Sequence, residues 1–514
     1  MATQSVSSTS EMPAGSEPGD KGLKSNAIGF VSGVVIGVAS TAPGYSLAAS
    51  LGLVVAVVGV GVHAPVIMIA AFIPMLLIAA SYYWMNRADP DCGTTFSWVT
   101  RAMGPNLGWI GGWAIIVADV IVMANLAQIA GLYLFLLIGI AAPSTFAVTV
   151  VGVLFIAGMT WICVVGIELN AKTQIGLLAA ELITLAVFAV VALVRVYLGD
   201  APAGSVKPSL EWFNPAGVGS VTALTSGVLL AVFIYWGWDT TVTVNEETED
   251  SAETPGRAAI VSVFVLVFTY VIVTVAAIAF GGPSFLANDQ SGDVLGLLAD
   301  NVFGSALLGK LVIIAVLSSA AASCQTTILP TARTALSMAR AKALPEKLGE
   351  VNPQYMTPAF ATWLMGAVSV VWYVGLTLLS EDMLFDAIAA LGLMIAFYYG
   401  LTGYACAIYY RRELLGSARN FFFIGVAPVV GALMLTAIFV KSCIDLANPA
   451  NSASGKSWLG LGPPLVIGVG FLLMGVVLMI VWRVQGHPEF FGRKPEVADP
   501  ALVARSPAGG GASV

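Results

Sequence analysis

An all-helical integral membrane protein of twelve spans, with ten of them forming a core of two inverted five-helix repeats, is the fold class this sequence predicts. Three observations predict it. Of 514 residues, 58% are hydrophobic and only 10% charged, where soluble proteins carry about 25% charged residues. The apolar content recurs as runs of about 20 residues, long enough to cross a bilayer as helix. The first and sixth of these runs are each interrupted, by Ser40-Thr41-Ala42-Pro43-Gly44 and by Trp236-Gly237-Trp238-Asp239. Paired broken segments in corresponding places of two halves point to a secondary transporter's binding site. A helix broken within lipid is tolerated only where protein or a wet cavity satisfies the freed backbone groups.

The twelve runs cover 28–60, 65–84, 107–138, 146–165, 174–194, 221–244, 258–280, 307–330, 358–379, 383–410, 421–440 and 464–482. Those near 30 residues imply tilt, a break or extension beyond the lipid. An odd number of spans per repeat inverts the second copy. Residues 26–200 therefore read as the first repeat, 201–415 as the second, and 416–485 as two peripheral helices. Residues 1–25 and 486–514, rich in Ser, Pro, Gly and charge, read as disordered tails. The first apolar run is too long for a signal peptide and is expected to remain as a helix.

Lys and Arg set the orientation. With the N-terminus inside, 17 basic residues face the cytoplasm and 5 face out, out of 22. Both termini are thus expected in the cytoplasm, with the chain in the plasma membrane. A net charge of −7 argues against a nucleic-acid surface. The five cysteines form no C-x-x-C pair, so neither disulfide nor metal is expected. Gly455-Lys456-Ser457 resembles the end of a phosphate-binding loop but lacks its upstream glycine and strand–helix setting. His63 and His487, the only histidines, lie outside the apolar runs. No nucleophile–base pair is evident, and the chain is not expected to be an enzyme or to hold a cofactor.

At the first break, Pro43 lacks an N–H and disfavours helix at Ala42, while Gly44 permits unusual backbone angles. A plain proline kink is the simpler alternative; the second break makes a functional one the better reading. There, Gly237 allows unwinding, Tyr235, Trp236 and Trp238 offer flat walls, and Asp239 is a carboxylate within the membrane, which by default marks function. Half-helix N-termini suit a substrate carboxylate and C-termini suit an ammonium or metal ion. Ser40, Thr41, Ala42, Gly44 and Tyr45, facing Tyr235 through Asp239, are the expected substrate contacts, and Trp238 is expected to close over the substrate.

Glu181 lies mid-way along the fifth run with apolar neighbours on both sides. Desolvation disfavours a charged carboxyl, which suits proton coupling; ionised, the same group can ligate sodium. A structural Glu bonded to a neighbouring helix is the alternative. Asp119 is a similar case, although polar groups also glue helices together. Ser319 and Ser323 can line an ion site beside the first break, or bond their own helix. Glu246 and Glu247 can pair with cytoplasmic arginines as an inner gate.

These motifs resemble the amino acid–polyamine–organocation transporter superfamily over nearly the whole chain. The strongest likeness is Tyr235-Trp236-Gly237-Trp238-Asp239, then Glu246-Glu247, then Thr254-Pro255-Gly256-Arg257. The stretch from Asp91-Cys92-Gly93 to Gly104-Pro105 is similar to that family's re-entrant loop, and Arg333 to Pro345 to the loop after its eighth helix. The resemblance implies alternating access, with the substrate's carboxylate and amine meeting the two unwound segments. It also implies backbone contacts from Thr41, Ala42 and Gly44 opposite Tyr235, Trp238 and Asp239. Two departures stand out. The Gly-x-Gly common at the first break is absent, and Glu181 occupies the place where several bacterial members carry a lysine that substitutes for sodium. The expected function is proton-coupled import of an amino acid, with sodium the other possible ion, by a monomer or homodimer. A polyamine or monoamine carrier and a transport-dead nutrient sensor are the alternatives.

Overall fold

A computed structural model describes residues 21–140, 142–288, 293–379 and 383–498. Most of the two expected tails lies outside these residues. Lys21 to Ser25 and 486–498, also expected within the tails, are described and partly packed.

Among the described residues there are helices and isolated bridges but no strand. The chain runs through α1 (Phe30–Thr41), α2 (Pro43–Ala56), α3 (Ala64–Ala88), α4 (Thr95–Met103), α5 (Pro105–Leu137), α6 (Thr145–Val165) and α7 (Ile167–Leu198). It continues through α8 (Val221–Tyr235), α9 (Thr240–Thr243), α10 (Thr254–Gly281), α11 (Pro283–Ala287), α12 (Val294–Phe303) and α13 (Ala306–Arg340). The remainder is α14 (Ala359–Leu379), α15 (Met383–Tyr409), α16 (Ala418–Asn420), α17 (Ala427–Leu446), α18 (Pro463–Val484) and α19 (Pro488–Phe491).

Among the described residues, eleven helices are long and apolar enough to cross a membrane, counting α1 and α2 as one. They coincide with eleven of the twelve apolar runs. The sixth run falls short of this length because it is divided into α8, of 15 residues, and the single turn α9. Large apolar side chains point outward on the outer helices, as with Leu154 (66% exposed), Val371 (73%) and Val477 (59%). An apolar belt of this extent is foreign to a soluble surface and fits contact with lipid. By contrast, α1 and α2 are buried nearly throughout, at the centre of the bundle, packed against α8, α10 and α13.

Local chemistry sets the helix ends. Pro43 and Pro105 open α2 and α5 at N1, where the missing N–H costs nothing. Ser220 caps α8 by accepting from Ala223 N at 3.0 Å. Gly199 closes α7 in the left-handed conformation. The N-terminal segment pairs with the chain after α9: Ala27 N donates to Glu247 O (2.8 Å) and Glu249 N to Ile28 O (2.9 Å). The C-terminal segment reaches the same end of the bundle, with Glu496 N donating to Arg101 O (2.7 Å) and Ala498 N to Tyr409 O (2.9 Å). Both described ends therefore share one face.

Candidate functional site

The first break is narrower than its sequence suggests. Only Ala42 leaves the helix, with φ 46° and ψ 68°. Thr41 is still helical and Pro43 already opens α2. Proline's fixed φ starts a new helix at once, so the chain needs one residue, not five, to change direction. Ser46 Oγ donates to Thr41 O (2.6 Å) and Ser323 Oγ to Ser40 O (2.9 Å), which satisfies carbonyls at the end of α1.

The second break spans Trp236 to Asp239, as its sequence suggests. Gly237 has φ +120°, and a Cβ built there would lie 2.8 Å from both the carbonyl carbon and oxygen of Ser40 and 2.9 Å from Thr41 N. The two breaks therefore touch backbone to backbone, and Ser40 Oγ and Thr240 Oγ1 share a hydrogen bond of 2.8 Å across them.

Beside this contact lies a cavity of about 20 Å³, room for one water molecule. Of the expected substrate contacts, Ser40, Thr41, Tyr45, Trp236, Gly237 and Asp239 line it; Ser323 and Asp119 line it too. Asp239 accepts hydrogen bonds from Tyr399 OH (2.8 Å), Tyr398 OH (3.2 Å) and Tyr82 OH (3.5 Å). Trp236 Nε1 donates to Tyr398 OH. Asp119 accepts from Thr331 Oγ1 at 2.6 Å. Among the described residues no basic side chain lines the cavity, so two buried carboxyl groups share it without a cation among them.

Four expected contacts do not line it. Ala42 is the hinge itself. Gly44 faces a separate cluster, in which its N–H donates to Glu181 Oε1 (2.7 Å) and Ser319 Oγ donates to the same oxygen (2.8 Å), while Tyr45 N donates to Ser319 Oγ (3.2 Å). Glu181 thus caps the N-terminus of α2. The positive end of the half-helix, which would suit a substrate carboxylate, already holds one from the protein. Tyr235 packs edge-on against Tyr270, with centroids 4.9 Å apart. Trp238 is fully buried between Tyr82 and Tyr399, at 5.1 and 5.2 Å, rather than over the cavity. Trp238→Ala is therefore expected to cost about 3–5 kcal/mol of stability, with Trp238→Phe milder. Thermal unfolding of the two variants in detergent checks this, and equal midpoints would refute the packing role.

At the face shared by both ends, Glu247 accepts from Arg333 Nε (2.6 Å) and Nη2 (2.9 Å), both side chains buried. This is the expected pairing with arginine. Glu246 differs: it pairs with Lys21 at 2.5 Å. Lys21 also reaches Asp91 at 2.8 Å and Cys92 Sγ at 3.5 Å. Asp91, Cys92 and Glu246 are metal ligands by type, but the Lys21 ammonium already sits among them. Burial works to raise Asp91, yet Lys21 and hydrogen bonds from Ser337 and Ser97 hold its carboxyl at about 2. Burial also works against the Lys21 charge, but Cys92, Asp91 and Glu246 keep its pKa well above the usual value. The pair stays ionised across the physiological range.

Tyr82, Tyr398, Tyr399, Thr240 and Lys21 join these clusters without having stood out in the sequence. The Tyr82-Tyr83 and Tyr398-Tyr399 doublets inside apolar runs are the available signals. Lys21 gives none, being a single lysine in a polar stretch.

The chain matches the amino acid permease family over residues 25–481. It is similar to the branched-chain amino acid permease BcaP of Lactococcus lactis, with 26% identity over 57% of this chain and 64% of that one. It is also similar to the low-affinity putrescine importer PlaP of Escherichia coli K12, with 21% identity over 78% of this chain and 84% of that one. A third relative is the human large neutral amino acids transporter small subunit 2, with 24% identity over 63% of this chain and 58% of that one. The match spans slightly less than two thirds of BcaP.

Proposed function

This chain belongs to the amino acid permease family, and from that premise we propose that it is a secondary transporter carrying an amino acid or a related amine across the plasma membrane by alternating access. The contact between the two breaks is the observation that carries this reading. It closes a polar cavity at the centre of an apolar bundle, with Asp119 and Asp239 in its walls. A cavity with room for one water cannot hold an amino acid, so the state described is occluded, and substrate entry requires the breaks to part. We further propose twelve spans, counting α8 and α9 as the sixth, with two inverted repeats at 26–200 and 201–415. The excess of Lys and Arg at the face carrying both ends supports cytoplasmic termini. The two glutamate pairs there would form the inner gate, in a monomer or homodimer.

Counterflow in liposomes tests the function. Protein loaded with unlabelled substrate should accumulate labelled amino acid or amine, and binding without counterflow would make the chain a sensor instead. An amine substrate is favoured by one observation: the cavity holds two acids and no base, while the first-turn N–H groups of α2 are taken by Glu181 and Ser319. A putrescine importer among the relatives supports the same class. If Asp239 holds an ammonium, Asp239→Asn should raise the apparent Km for the amine about 10- to 100-fold, as expected for a hydrogen bond to a charged group. An unchanged Km would remove Asp239 from the substrate's shell.

A further inference from the structure

The face carrying both ends holds a basin of about 520 Å³, far larger than the central cavity. Its walls come from four separate parts of the chain. The N-terminal segment gives Lys21, the stretch around α4 gives Asp89, Asp91 and Arg101, the end of α13 gives Arg340, and the C-terminal segment gives Arg493, Lys494 and Glu496. The three acids are accounted for. Asp91 is paired with Lys21 (2.8 Å), and Arg101 is shared by Asp89 (3.1 Å) and Glu496 (3.1 Å). Burial pushes Asp89 up to about 6 against the pull of Arg101, and its charge is offset by the Arg101 guanidinium.

Arg340, Arg493 and Lys494 are left with no carboxylate partner among the described residues. Arg340 Nη2 touches only the Lys21 carbonyl (3.3 Å), and Arg493 Nη2 only the Ala341 carbonyl (3.5 Å). Three cations with no carboxylate partner among the described residues, from two elements remote in sequence, thus line one concave space. Their placement depends on the C-terminal segment being docked. Phe490, fully buried, stacks on Phe96 with centroids 5.6 Å apart, and the Arg493 guanidinium also lies over its ring, 5.6 Å from the centroid. Trp482 stacks on His487 and donates to Lys342 O (3.1 Å).

We propose that this basin is a binding site for a phosphate-bearing anion, held by Arg340, Arg493 and Lys494. Planar guanidinium groups match phosphate oxygens in paired hydrogen bonds, and lysine adds a point charge. The space exceeds that needed by a simple ion such as chloride and matches a small-molecule site. A phosphate there would staple the C-terminal segment to the end of α13, the helix whose Arg333 closes on Glu247. It would therefore favour the state in which that pair is formed. This proposal uses no assignment of the transported substrate and stands apart from it.

The test uses the full chain, purified at low salt, with inorganic pyrophosphate as the soluble probe and nanodiscs containing phosphatidylglycerol or phosphatidylcholine as the lipid arms. Pyrophosphate should bind saturably by calorimetry and raise the melting midpoint. The affinity should fall at least tenfold in Arg340→Gln/Arg493→Gln, and fall steadily as salt screens exposed charges. Lys494→Gln, which leaves both arginines and the packing intact, should weaken binding by a smaller factor. Stabilisation by phosphatidylglycerol over phosphatidylcholine, lost in the double variant, would identify the anion as a headgroup. A pyrophosphate effect without that lipid dependence would identify a soluble phosphate. If neither probe acts, or if the double variant responds as the wild type does, the proposal is wrong.

Discussion

Gly237→Ala is expected to abolish transport while leaving a folded, monodisperse protein. The added Cβ would lie 2.8 Å from the carbonyl carbon and oxygen of Ser40 and 2.9 Å from Thr41 N. These are backbone atoms of the last residues of α1, beside the other break and held by Ser323 and Thr240, and they cannot swing aside as a side-chain tip could. A φ of +120° adds strain for any residue with a Cβ, of order 1–3 kcal/mol. The breaks would be forced apart, and with them the walls of the cavity. The surrounding bundle does not depend on this one contact, so insertion should survive. Gly44→Ala should be milder. Its Cβ would meet Glu181 Oε1 at 3.3 Å, a side-chain atom able to retreat slightly, and uptake should fall without vanishing. Uptake in liposomes and size-exclusion profiles of both variants measure this. Wild-type uptake by Gly237→Ala would mean that the contact between the breaks is not needed for transport.

The difference between these two glycines shows what the sequence could disclose. Composition and run length suffice for the membrane-spanning helices, because burying twenty apolar residues in lipid leaves few alternatives. The breaks were legible for a related reason: Pro43, Gly237 and Asp239 are each costly in an uninterrupted span. How far the first break extends was not legible. Serine and threonine beside Pro43 are compatible with helix or loop, and the local bond from Ser46 and the tertiary bond from Ser323 that satisfy the last carbonyls of α1 cannot be read from that stretch. Side-chain direction was hidden as well. Trp238 next to a cavity-lining aspartate looks like a lid, yet its ring lies in the space between Tyr82 and Tyr399. The three tyrosines around Asp239 come from α3 and α15, more than 150 residues away on either side. No periodicity within a single helix can announce such a meeting. The partner of Glu246 was missed because the residue that fills the role, Lys21, sits in a stretch whose composition suggests no structure at all.

Glu181→Gln is expected to abolish accumulation driven by a pH gradient while sparing exchange of substrate for substrate. Glu181 is buried, and its Oε1 accepts from the Gly44 N–H and the Ser319 hydroxyl. Its helix, α7, packs against α1, α2, α6, α10, α12 and α13. Tyr270 on α10 lies close enough to feel its charge, and among the described residues no cation is paired with it. A lone carboxylate in such a place is costly to keep charged. It also holds the N-terminus of α2 through Gly44, so gaining or losing a proton alters the bond that anchors the first break. This gives a route by which protonation and movement of the break are coupled. Glutamine keeps the size and retains a carbonyl oxygen to accept from Gly44 and Ser319, so the fold and the cap should persist. What it removes is the exchangeable charge. Exchange requires no net ion movement and should continue; concentrative uptake under an inward proton gradient should stop. Uptake that needs sodium and ignores pH in the wild type would make Glu181 a cation ligand or a cap alone. Accumulation by the glutamine variant against a substrate gradient would take the coupling role away from it entirely.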